Sequence, residues 1–156
     1  MNSENAIIKR ASASVSTSEL LDSAAKINRG NDDFVQLFDP NYVINSNHLL
    51  AARADANLAF KLKTNVSKNM ATETLLFAGM TKQITKAIEK MGIKSNSDFI
   101  VFASNRKAYN SIKGLLSKEK DFRQTKEGET AAAHAFGIEK ISDEEILQKM
   151  AAPRFD

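Results

Sequence analysis

The residues best suited to chemistry in this 156-residue chain are basic side chains that concentrate in its middle. Between His48 and Lys94 there are eight Lys or Arg residues and three acidic residues, so this segment has a net charge of +5 and the rest of the chain −2. Lysine and arginine bind phosphate oxygens, and several on one surface bind nucleic acid with an affinity that falls with salt. The segment therefore indicates an anionic partner, with ordinary solvated lysines as the alternative.

The lysines of this segment form two groups: one lies along a predicted helix, and the other lies around the end of a predicted helix. Lys82, Lys86 and Lys90 are four residues apart and so share one row of a predicted helix, where repeated like charge does not stabilise the helix. The second group surrounds the predicted end of an earlier helix, where cations also favour the helix macrodipole, and it consists of Lys61, Lys63 and Lys68. Short connections between the helices would let these lysines form one patch with Arg53.

Catalytic chemistry has little support in the sequence. The chain has no cysteine, which excludes a disulfide framework, a thiol nucleophile, a cysteine-based zinc site and an iron–sulfur cluster. It also lacks a phosphate-binding glycine loop, the G-x-S-x-G elbow and the H-E-x-x-H motif. We therefore expect no catalytic residue, no metal site, no cofactor and no small-molecule substrate.

Four other ionisable residues have ordinary structural interpretations. His48 lies at a predicted helix start, where a capping or surface role is commoner than catalysis. His134, within a run of alanines, is expected to be half-buried packing. The adjacent carboxylates of Asp32 and Asp33 fall in a predicted turn, where we expect them to be solvated rather than to hold a cation.

The elements that position these side chains begin with a strand–helix–strand pattern. Ala6–Ser16 is predicted to be a strand, and a helix is predicted from an N-cap at Ser18 to Asn28, followed by a stop at Gly30 and a turn. Alternation predicts a second strand at Phe34–Phe38. After the next turn, a short extended piece is predicted at Tyr42–Ile44.

The middle of the chain, about residues 46–92, is predicted to be a helical subdomain. Its first helix begins at caps in Asn45–Asn47, ends near Leu62 and has two apolar stripes. One stripe consists of Leu49, Ala52, Ala56, Ala59 and Phe60, and the other of Ala51, Ala54, Leu58 and Leu62. Met70–Ala78, apolar on nearly all sides, is predicted to be a buried helix. A third helix begins at a Thr81 cap, with an inner face of Ile84, Ala87, Ile88 and Met91.

The last third combines one buried strand with further helices. The continuous apolar run in Asp98–Ala103 predicts a strand covered on both faces. A helix is predicted at Asn105–Ser117, an edge strand or loop at Lys118–Glu129, and a last helix from a Ser142 capping box to a stop at Pro153. The whole chain, 1–156, is then one domain of the α/β class (mixed α+β), with a small central mixed sheet flanked by helices.

No targeting or membrane segment is predicted. The first 15 residues include an early acid and no continuous apolar stretch of signal-peptide length. No later run approaches the ~20 apolar residues of a membrane span. We therefore expect a cytoplasmic protein without a membrane partner.

The segment from His48 to Phe102 resembles a known family. Its motifs, in order, are H-L-L-A-A-x-x-A-x-x-A, a basic connection that ends in Asn69–Glu73, E-T-L-L-F-A, G-M-T-K-Q-I, A-I-E-K-M-G-I and an apolar strand. Each motif is common alone, but their order and spacing are similar to those of the kinase-binding regulatory subunit of the KEOPS complex, the TPRKB family, in its archaeal-type members. The ends of the chain match only in element order.

This resemblance implies a non-catalytic regulatory subunit. Members of the family bind the N-lobe of the small atypical kinase/ATPase subunit, support its activity and help recruit tRNA through its 3′ CCA end. The assembled complex makes the threonylcarbamoyladenosine modification beside the tRNA anticodon, and ATP hydrolysis and acyl transfer belong to partner subunits. The implied partners of this chain are therefore the KEOPS kinase/ATPase subunit and tRNA, and the chain itself is not an enzyme.

Carried onto this sequence, the resemblance implies two contact surfaces. The kinase-subunit interface falls on Leu49, Ala52, Ala56, Leu75 and Ala78, with core packing as the alternative for each, and Leu75→Glu is expected to weaken kinase binding. The tRNA-binding residues are Arg53, Lys61, Lys63, Lys68, Lys82 and Gln83. Their basic side chains would bind phosphates and the glutamine a base edge or ribose. Ala151–Asp156 departs from the apolar-then-acidic tail of relatives, so no tail contribution to tRNA binding is carried over.

Two other functions stay open at this point. A stand-alone nucleic-acid-binding domain would use the same basic segment and would purify without a kinase partner. A small hydrolase or transferase that uses His48 or His134 would show activity alone, and a single His→Ala substitution would abolish it.

Overall fold

The structure is a computed structural model that describes residues 5–29 and 33–155. In chain order its strands and α-helices are β1 (Ile7–Ala13), α1 (Thr17–Asn28), β2 (Val35–Phe38), α2 (Ser46–Leu62), α3 (Met70–Ala78), α4 (Ile84–Met91), β3 (Phe99–Ala103), α5 (Arg106–Lys113), β4 (Leu116–Asp121), α6 (Lys126–Ala135) and α7 (Asp143–Ala151). The predicted mixed α+β class is therefore confirmed. The predicted helix stop at Gly30 and turn at Asn31 and Asp32 lie outside the described residues.

The chain is divided into two compact units. The sheet unit comprises the described residues up to Pro40 together with Ile93–Phe122. The helical unit comprises Asn41–Gly92 together with the described residues from Arg123 onward, so α6 and α7 join the helices predicted for the middle of the chain. That the two units form one domain over 1–156 stays a prediction.

The sheet unit is built on four strands in the order β2-β3-β1-β4. All three pairings between these strands are antiparallel. Strands β1 and β2, which α1 joins, run in the same direction as in a β-α-β unit, but β3 lies between them. A sheet with mixed strand directions is therefore a wrong expectation, because the two strands that run parallel are not neighbours.

Strand β3 is the most buried part of the sheet unit. All five of its residues are buried, which confirms the prediction of a strand covered on both faces. On one face Val101 packs in a core with Leu20 of α1 and Ile112 of α5. On the other face, Phe102 stacks on Phe34 with 5.9 Å between the ring centroids.

Side-chain caps define most helix starts. In six helices the N-cap side chain accepts a hydrogen bond from the backbone N–H three residues further on, and these caps are Ser16, Asn45, Asn69, Asn105, Thr125 and Ser142. The Ser142 and Asn45 caps are predicted correctly, whereas α1 is capped by Ser16 and not by Ser18. Helix α4 begins at Ile84, because Thr81 Oγ1 accepts from the Gln83 N–H in the preceding turn instead of capping a helix.

Strand β4 begins where the sequence predicts helix. Helix α5 ends at Lys113 with Gly114 as its C-cap, so Leu116 leaves the helix and opens the strand. In the described part of the sheet, β4 pairs with β1 alone and is an edge strand, one of the two interpretations given for Lys118–Glu129. Most of Thr130–Phe136, which the sequence left unassigned, belongs to α6.

Helix α4 buries only half of the inner face predicted for it. Ala87 and Met91 are buried as predicted, but Ile84 and Ile88 are 42% and 53% exposed. A Cβ placed on Gly79 would lie only 3.3 Å from the Ala87 Cβ, so the end of α3 approaches α4 at Ala87 and turns that side of α4 inward. The prediction of Ile84 and Ile88 as core residues is therefore wrong.

Two short segments form 3-10 helices. Pro40–Tyr42 is the first, so the predicted extended piece Tyr42–Ile44 begins within a helical turn. The second, Ala152–Phe155, continues directly from α7 and contains Pro153, whose fixed φ suits the first turn of a helix. In residues 5–29 and 33–155, no helix combines the length and the apolar content needed to cross a bilayer.

Candidate functional site

The five residues predicted for the kinase interface lie inside the helical unit. Leu49, Ala52 and Ala56 on α2, and Leu75 and Ala78 on α3, are each at most 4% exposed, and α2 packs against α3. A partner cannot touch these side chains unless the helices separate, so they form the ordinary core that was the alternative prediction. Leu75→Glu would consequently bury a charge and test folding rather than docking.

The opposite side of α2 carries an exposed apolar row, which we name the leucine row. It consists of Leu50, Ala54, Leu58 and Leu62, at four-residue spacing. All four residues are exposed, the three leucines by 41%, 53% and 63%. At the start of the row, Leu50 and Leu147 of α7 line an open cleft of about 290 Å³. An exposed apolar row that includes three leucines is a candidate surface for contact with a partner.

His48 is a buried structural residue and not the capping or surface histidine expected from the sequence. Its Nδ1 accepts a hydrogen bond from the Ile44 N–H at 3.1 Å, so its Nε2 carries the proton and donates to the Ala78 carbonyl at 2.9 Å. Phe136 meets the imidazole edge-on, with 5.6 Å between the ring centroids. Because the side chain has no exposed surface, it ties the start of α2 to the end of α3 and does not face a substrate.

The helical unit is expected to lose stability as the pH falls from about 6.5 to 4. Burial lowers the pKa of His48 from 6.5 to about 4, and its hydrogen bond to Ala78 opposes this shift only in part. Across that window the unfolded chain therefore binds a proton that the folded chain does not, which lowers the free energy of unfolding by about 3 kcal/mol at pH 4. Denaturant unfolding of the full chain at several pH values measures the effect.

His48→Gln is the informative variant for this titration. A glutamine amide keeps one donor and one acceptor but does not titrate, so the variant should lose this part of the pH dependence. His134→Gln makes the same substitution at an exposed position on α6 and is the matched control. An identical pH profile for His48→Gln and the unchanged protein would contradict the role assigned to His48.

The other ionisable candidates also have structural surroundings. His134 is exposed rather than half-buried, because the buried side of α6 is the one that carries Ala133 and leads to Phe136, and His134 lies on another side. Asp33 is partly buried and accepts a hydrogen bond from Asn105 Nδ2 at 2.6 Å, so it is not a simply solvated turn carboxylate, and Asp32 lies outside the described residues. In the part of the chain that the structure describes, no three His, Asp or Glu side chains are grouped to hold a metal ion.

Five of the six predicted tRNA contacts lie before or after α3 and form two basic groups. The first group, from the end of α2 and the loop before α3, is exposed and consists of Lys61, Lys63 and Lys68. Lys82 and Gln83, the second group, follow the other end of α3, whose nine residues make it roughly 13 Å long. Arg53 lies on α2, is partly buried and belongs to neither group.

The predicted lysine row on α4 is shorter than expected. Lys82 precedes the helix, which begins at Ile84. Lys90 Nζ lies 4.7 Å from the centre of the Phe136 ring, a cation–π contact within the unit. Lys90, at the C-terminal end of the row, therefore has a structural contact, and of the three lysines only Lys86 is an exposed residue within the helix.

A buried ion pair anchors the loop between α2 and α3, and the sequence analysis missed it. The fully buried carboxylate of Glu73 on α3 accepts hydrogen bonds of 2.8 to 3.2 Å from the Val66 and Ser67 N–H groups and from Arg154 Nη1. The guanidinium carbon of Arg154 lies 3.9 Å from the centre of the Phe77 ring. Because Glu73 and Arg154 are 81 residues apart, no local spacing in the sequence indicates the pair.

Comparison with models of protein families gives one decisive match. The model described as kinase binding protein CGI-121 matches residues 12–150 of this chain. The chain belongs to the CGI-121 family. This confirms, at the level of the family, the resemblance inferred from His48–Phe102, and the CGI-121 match covers residues of both units. Comparison with individual curated proteins gives no match, so the assignment rests on the family model.

Membership of the CGI-121 family gives the coarse function. The family is one of kinase-binding proteins, and kinase binding was predicted from the sequence. The residues that the sequence analysis assigned to this binding are the core of the helical unit, whereas the leucine row on the other side of α2 is exposed. The described surface of this CGI-121 protein thus offers a protein partner an apolar row and, at the C-terminal end of the same helix, a basic group.

Proposed function

We propose that the chain is a non-catalytic regulatory subunit of the KEOPS complex, which makes threonylcarbamoyladenosine in tRNA. Its role is to bind and support the small atypical kinase/ATPase subunit and to help recruit tRNA through the 3′ CCA end. The observation that carries this proposal is the family match over residues 12–150, since it makes the chain a kinase-binding protein. ATP hydrolysis and acyl transfer then belong to partner subunits in the cytoplasm.

The leucine row is the surface that we assign to the kinase subunit. A partner that covers Leu50, Leu58 and Leu62 would remove their exposed apolar area from water, and this burial favours binding. The cleft between Leu50 and Leu147 gives the row a concave end, into which a partner side chain can insert. A kinase is the occupant that fits, because kinase binding is the property that describes the family.

The two basic groups are the surface that we assign to tRNA. Before α3, three exposed lysines can neutralise phosphates without first leaving an ion pair that the structure shows. At the end of α3, the Gln83 side chain is exposed and makes no capping hydrogen bond, so its amide can meet a base edge or a ribose hydroxyl. A single-stranded 3′ end exposes both phosphates and unstacked bases, so the lysines can contact its phosphates while Gln83 contacts a base or a ribose.

Replacing Lys61 and Lys68 together by glutamate is expected to weaken tRNA binding at least tenfold and to reduce its dependence on salt. Two phosphate contacts become repulsions, so the slope of log affinity against log salt should fall by about two. Gel-shift or fluorescence-anisotropy titrations at several salt concentrations, with tRNA that has an intact 3′ CCA end, measure both quantities.

The matched control for this charge reversal is Lys26→Glu with Lys107→Glu. These two exposed lysines lie on α1 and α5 of the sheet unit, so the total charge changes equally while both basic groups stay intact. We expect the control to bind tRNA nearly as the unchanged protein does. Equal affinity for the Lys61→Glu, Lys68→Glu variant and the unchanged protein would assign those lysines to solubility instead.

A further inference from the structure

The loop between α2 and α3, residues 63–69, is built as a defined structure and carries two of the proposed RNA-binding lysines, Lys63 and Lys68. Helix α2 ends at Leu62, its C-cap Lys63 has a left-handed conformation with a φ of 59°, and the Thr64 N–H donates to the Ala59 carbonyl at 2.8 Å. Within the loop, the Asn65 side-chain amide donates to the Ser67 carbonyl at 2.9 Å. These two hydrogen bonds therefore define the path of the loop as it leaves α2.

The far side of this loop is anchored by Glu73. Its carboxylate accepts from the Ser67 N–H at 2.8 Å and from the Val66 N–H at 3.1 and 3.2 Å. The side chain is fully buried, so the hydrogen bonds and the charge around it decide where it lies. Lys68 follows directly after the anchored pair of residues, and its position relative to Lys61 and Lys63 depends on this anchor.

Arg154 completes the anchor from the other end of the chain. Its Nη1 donates to Glu73 Oε2 at 2.8 Å, while its side chain, 16% exposed, lies against Phe77. Its Nη2 is buried and has no hydrogen-bond acceptor among the described residues, so the contacts with Glu73 and Phe77 hold the guanidinium in place. Asp55 also faces this cation: burial raises the pKa of the Asp55 carboxyl, and Arg154 opposes that rise.

We propose that Glu73 and Arg154 are positioning residues for RNA binding: the C-terminal 3-10 helix, through this ion pair, holds the loop 63–69 in the geometry in which its lysines meet phosphates. The inference rests on the proposed tRNA binding and adds to it a part of the chain, Ala152–Phe155, to which the sequence assigned no role. Arg154 does not touch RNA in this account; it acts by fixing the carboxylate that fixes the loop.

The physical reason is the cost of ordering a loop at the moment of binding. A loop that is already ordered loses little backbone entropy when its lysines bind, whereas a mobile loop must lose it during binding and binds more weakly. Loss of the Arg154 side chain would admit water to Glu73, because the partly exposed guanidinium now contacts a carboxylate that is itself fully buried. Water then competes for Glu73 with the Val66 and Ser67 N–H groups, and the loop loosens while the apolar contacts of α3 remain.

Arg154→Ala and Arg154→Lys test this inference, with Arg123→Ala as the matched control. Arg123 is exposed and lies in the helical unit, so its removal deletes the same charge without touching the ion pair. Two quantities are measured on the full chain: hydrogen exchange of the Val66 and Ser67 amides, with the Ala52 and Ala56 amides of the core as an internal reference, and affinity for tRNA with an intact 3′ end.

We expect Arg154→Ala to speed exchange at Val66 and Ser67 more than at Ala52 and Ala56, and to weaken tRNA binding about tenfold. Arg154→Lys, which can still donate to Glu73 but loses the planar contact with Phe77, should recover part of both losses. Arg123→Ala separates positioning from a simple loss of charge, because it removes a charge and leaves the anchor intact. Arg154→Lys keeps both the charge and a donor to Glu73, so it shows how much of the effect the anchor recovers.

Three outcomes would overturn the inference. Faster loop exchange in Arg154→Ala with full tRNA affinity would show that loop order does not matter for binding. Equal weakening of tRNA binding by Arg154→Ala and Arg123→Ala would show that Arg154 contributes only through its charge. Failure of the unchanged protein to bind tRNA would overturn the proposed RNA role and this inference with it, and that result is distinguishable because no variant is needed to see it.

Discussion

Leu58→Glu is expected to weaken binding of the proposed partner, the KEOPS kinase subunit, by about a hundredfold or more without disturbing the fold. Leu58 is 53% exposed in the middle of the leucine row, so its replacement costs little in the free protein. In the complex, the new carboxylate would be desolvated against an apolar partner surface without a compensating charge. Isothermal titration calorimetry with the purified kinase subunit measures the change in affinity.

Leu21→Glu is the matched control for the leucine row. Leu21 is a 46% exposed leucine on α1 in the sheet unit, so the same substitution is made outside the proposed surface and should leave kinase affinity unchanged. Leu50→Glu, within the row, should act like Leu58→Glu. A folded Leu58→Glu protein that binds the kinase subunit fully would remove the leucine row from the interface.

Glu73→Ala is expected to destabilise the protein by about 3–5 kcal/mol. The substitution leaves the partly buried Val66 N–H and the buried Ser67 N–H without their acceptor and leaves the guanidinium of Arg154, 16% exposed, without its counter-charge. Both losses add to the cavity left by the side chain itself. The free energy of unfolding from urea denaturation of the full chain, compared between the variant and the unchanged protein, gives the effect.

Two further variants separate the ion pair from general effects of the substitution. Glu89→Ala removes an exposed glutamate on α4 of the same unit and should change the free energy of unfolding by less than about 0.5 kcal/mol. Glu73→Ala combined with Arg154→Met should recover part of the loss, since no unpaired charge then stays buried. A loss below about 1 kcal/mol for Glu73→Ala is what a surface pair would give and would contradict this account.

The helices around the candidate site could be predicted from the sequence where local signals define them. Asn45 and Asn69 cap α2 and α3 with their side chains, and the stretch Met70–Ala78 has the same bounds in the structure as in the prediction. Its burial followed from apolar residues on nearly every side, which leave no polar face for solvent. Signals of this kind act over a few residues and need no knowledge of the partner element.

Which side of a helix faces inward could not be predicted, because periodicity marks apolar rows without showing which of them is covered. Helix α2 has two such rows, and the sequence analysis assigned the partner to the row of Leu49, whereas the row of Leu58 is the exposed one. On α4 the same ambiguity placed Ile88 in the core, although the approach of Gly79 to Ala87 turns Ile88 outward. The inner side depends on neighbouring elements, which a single helix pattern does not contain.

The anchor of the loop 63–69 also lay beyond sequence reasoning. Glu73 is an ordinary glutamate by its neighbours in the sequence, and Arg154 follows a proline near the end of the chain. Their pairing depends on how α7 returns toward α3 across 81 residues. Buried charges are formed by tertiary structure in this way, so they are found by burial and hydrogen bonding rather than by spacing.

We propose above that this CGI-121 protein is the kinase-binding subunit of KEOPS, and a calorimetric titration of the unchanged protein with the KEOPS kinase subunit from the same organism tests this most directly. We expect a one-to-one complex with a Kd of about 1 µM or tighter, as a specific interface of ordinary size gives. Absence of binding to that kinase subunit, by a folded protein that still binds tRNA, would contradict the account and favour a stand-alone nucleic-acid-binding domain.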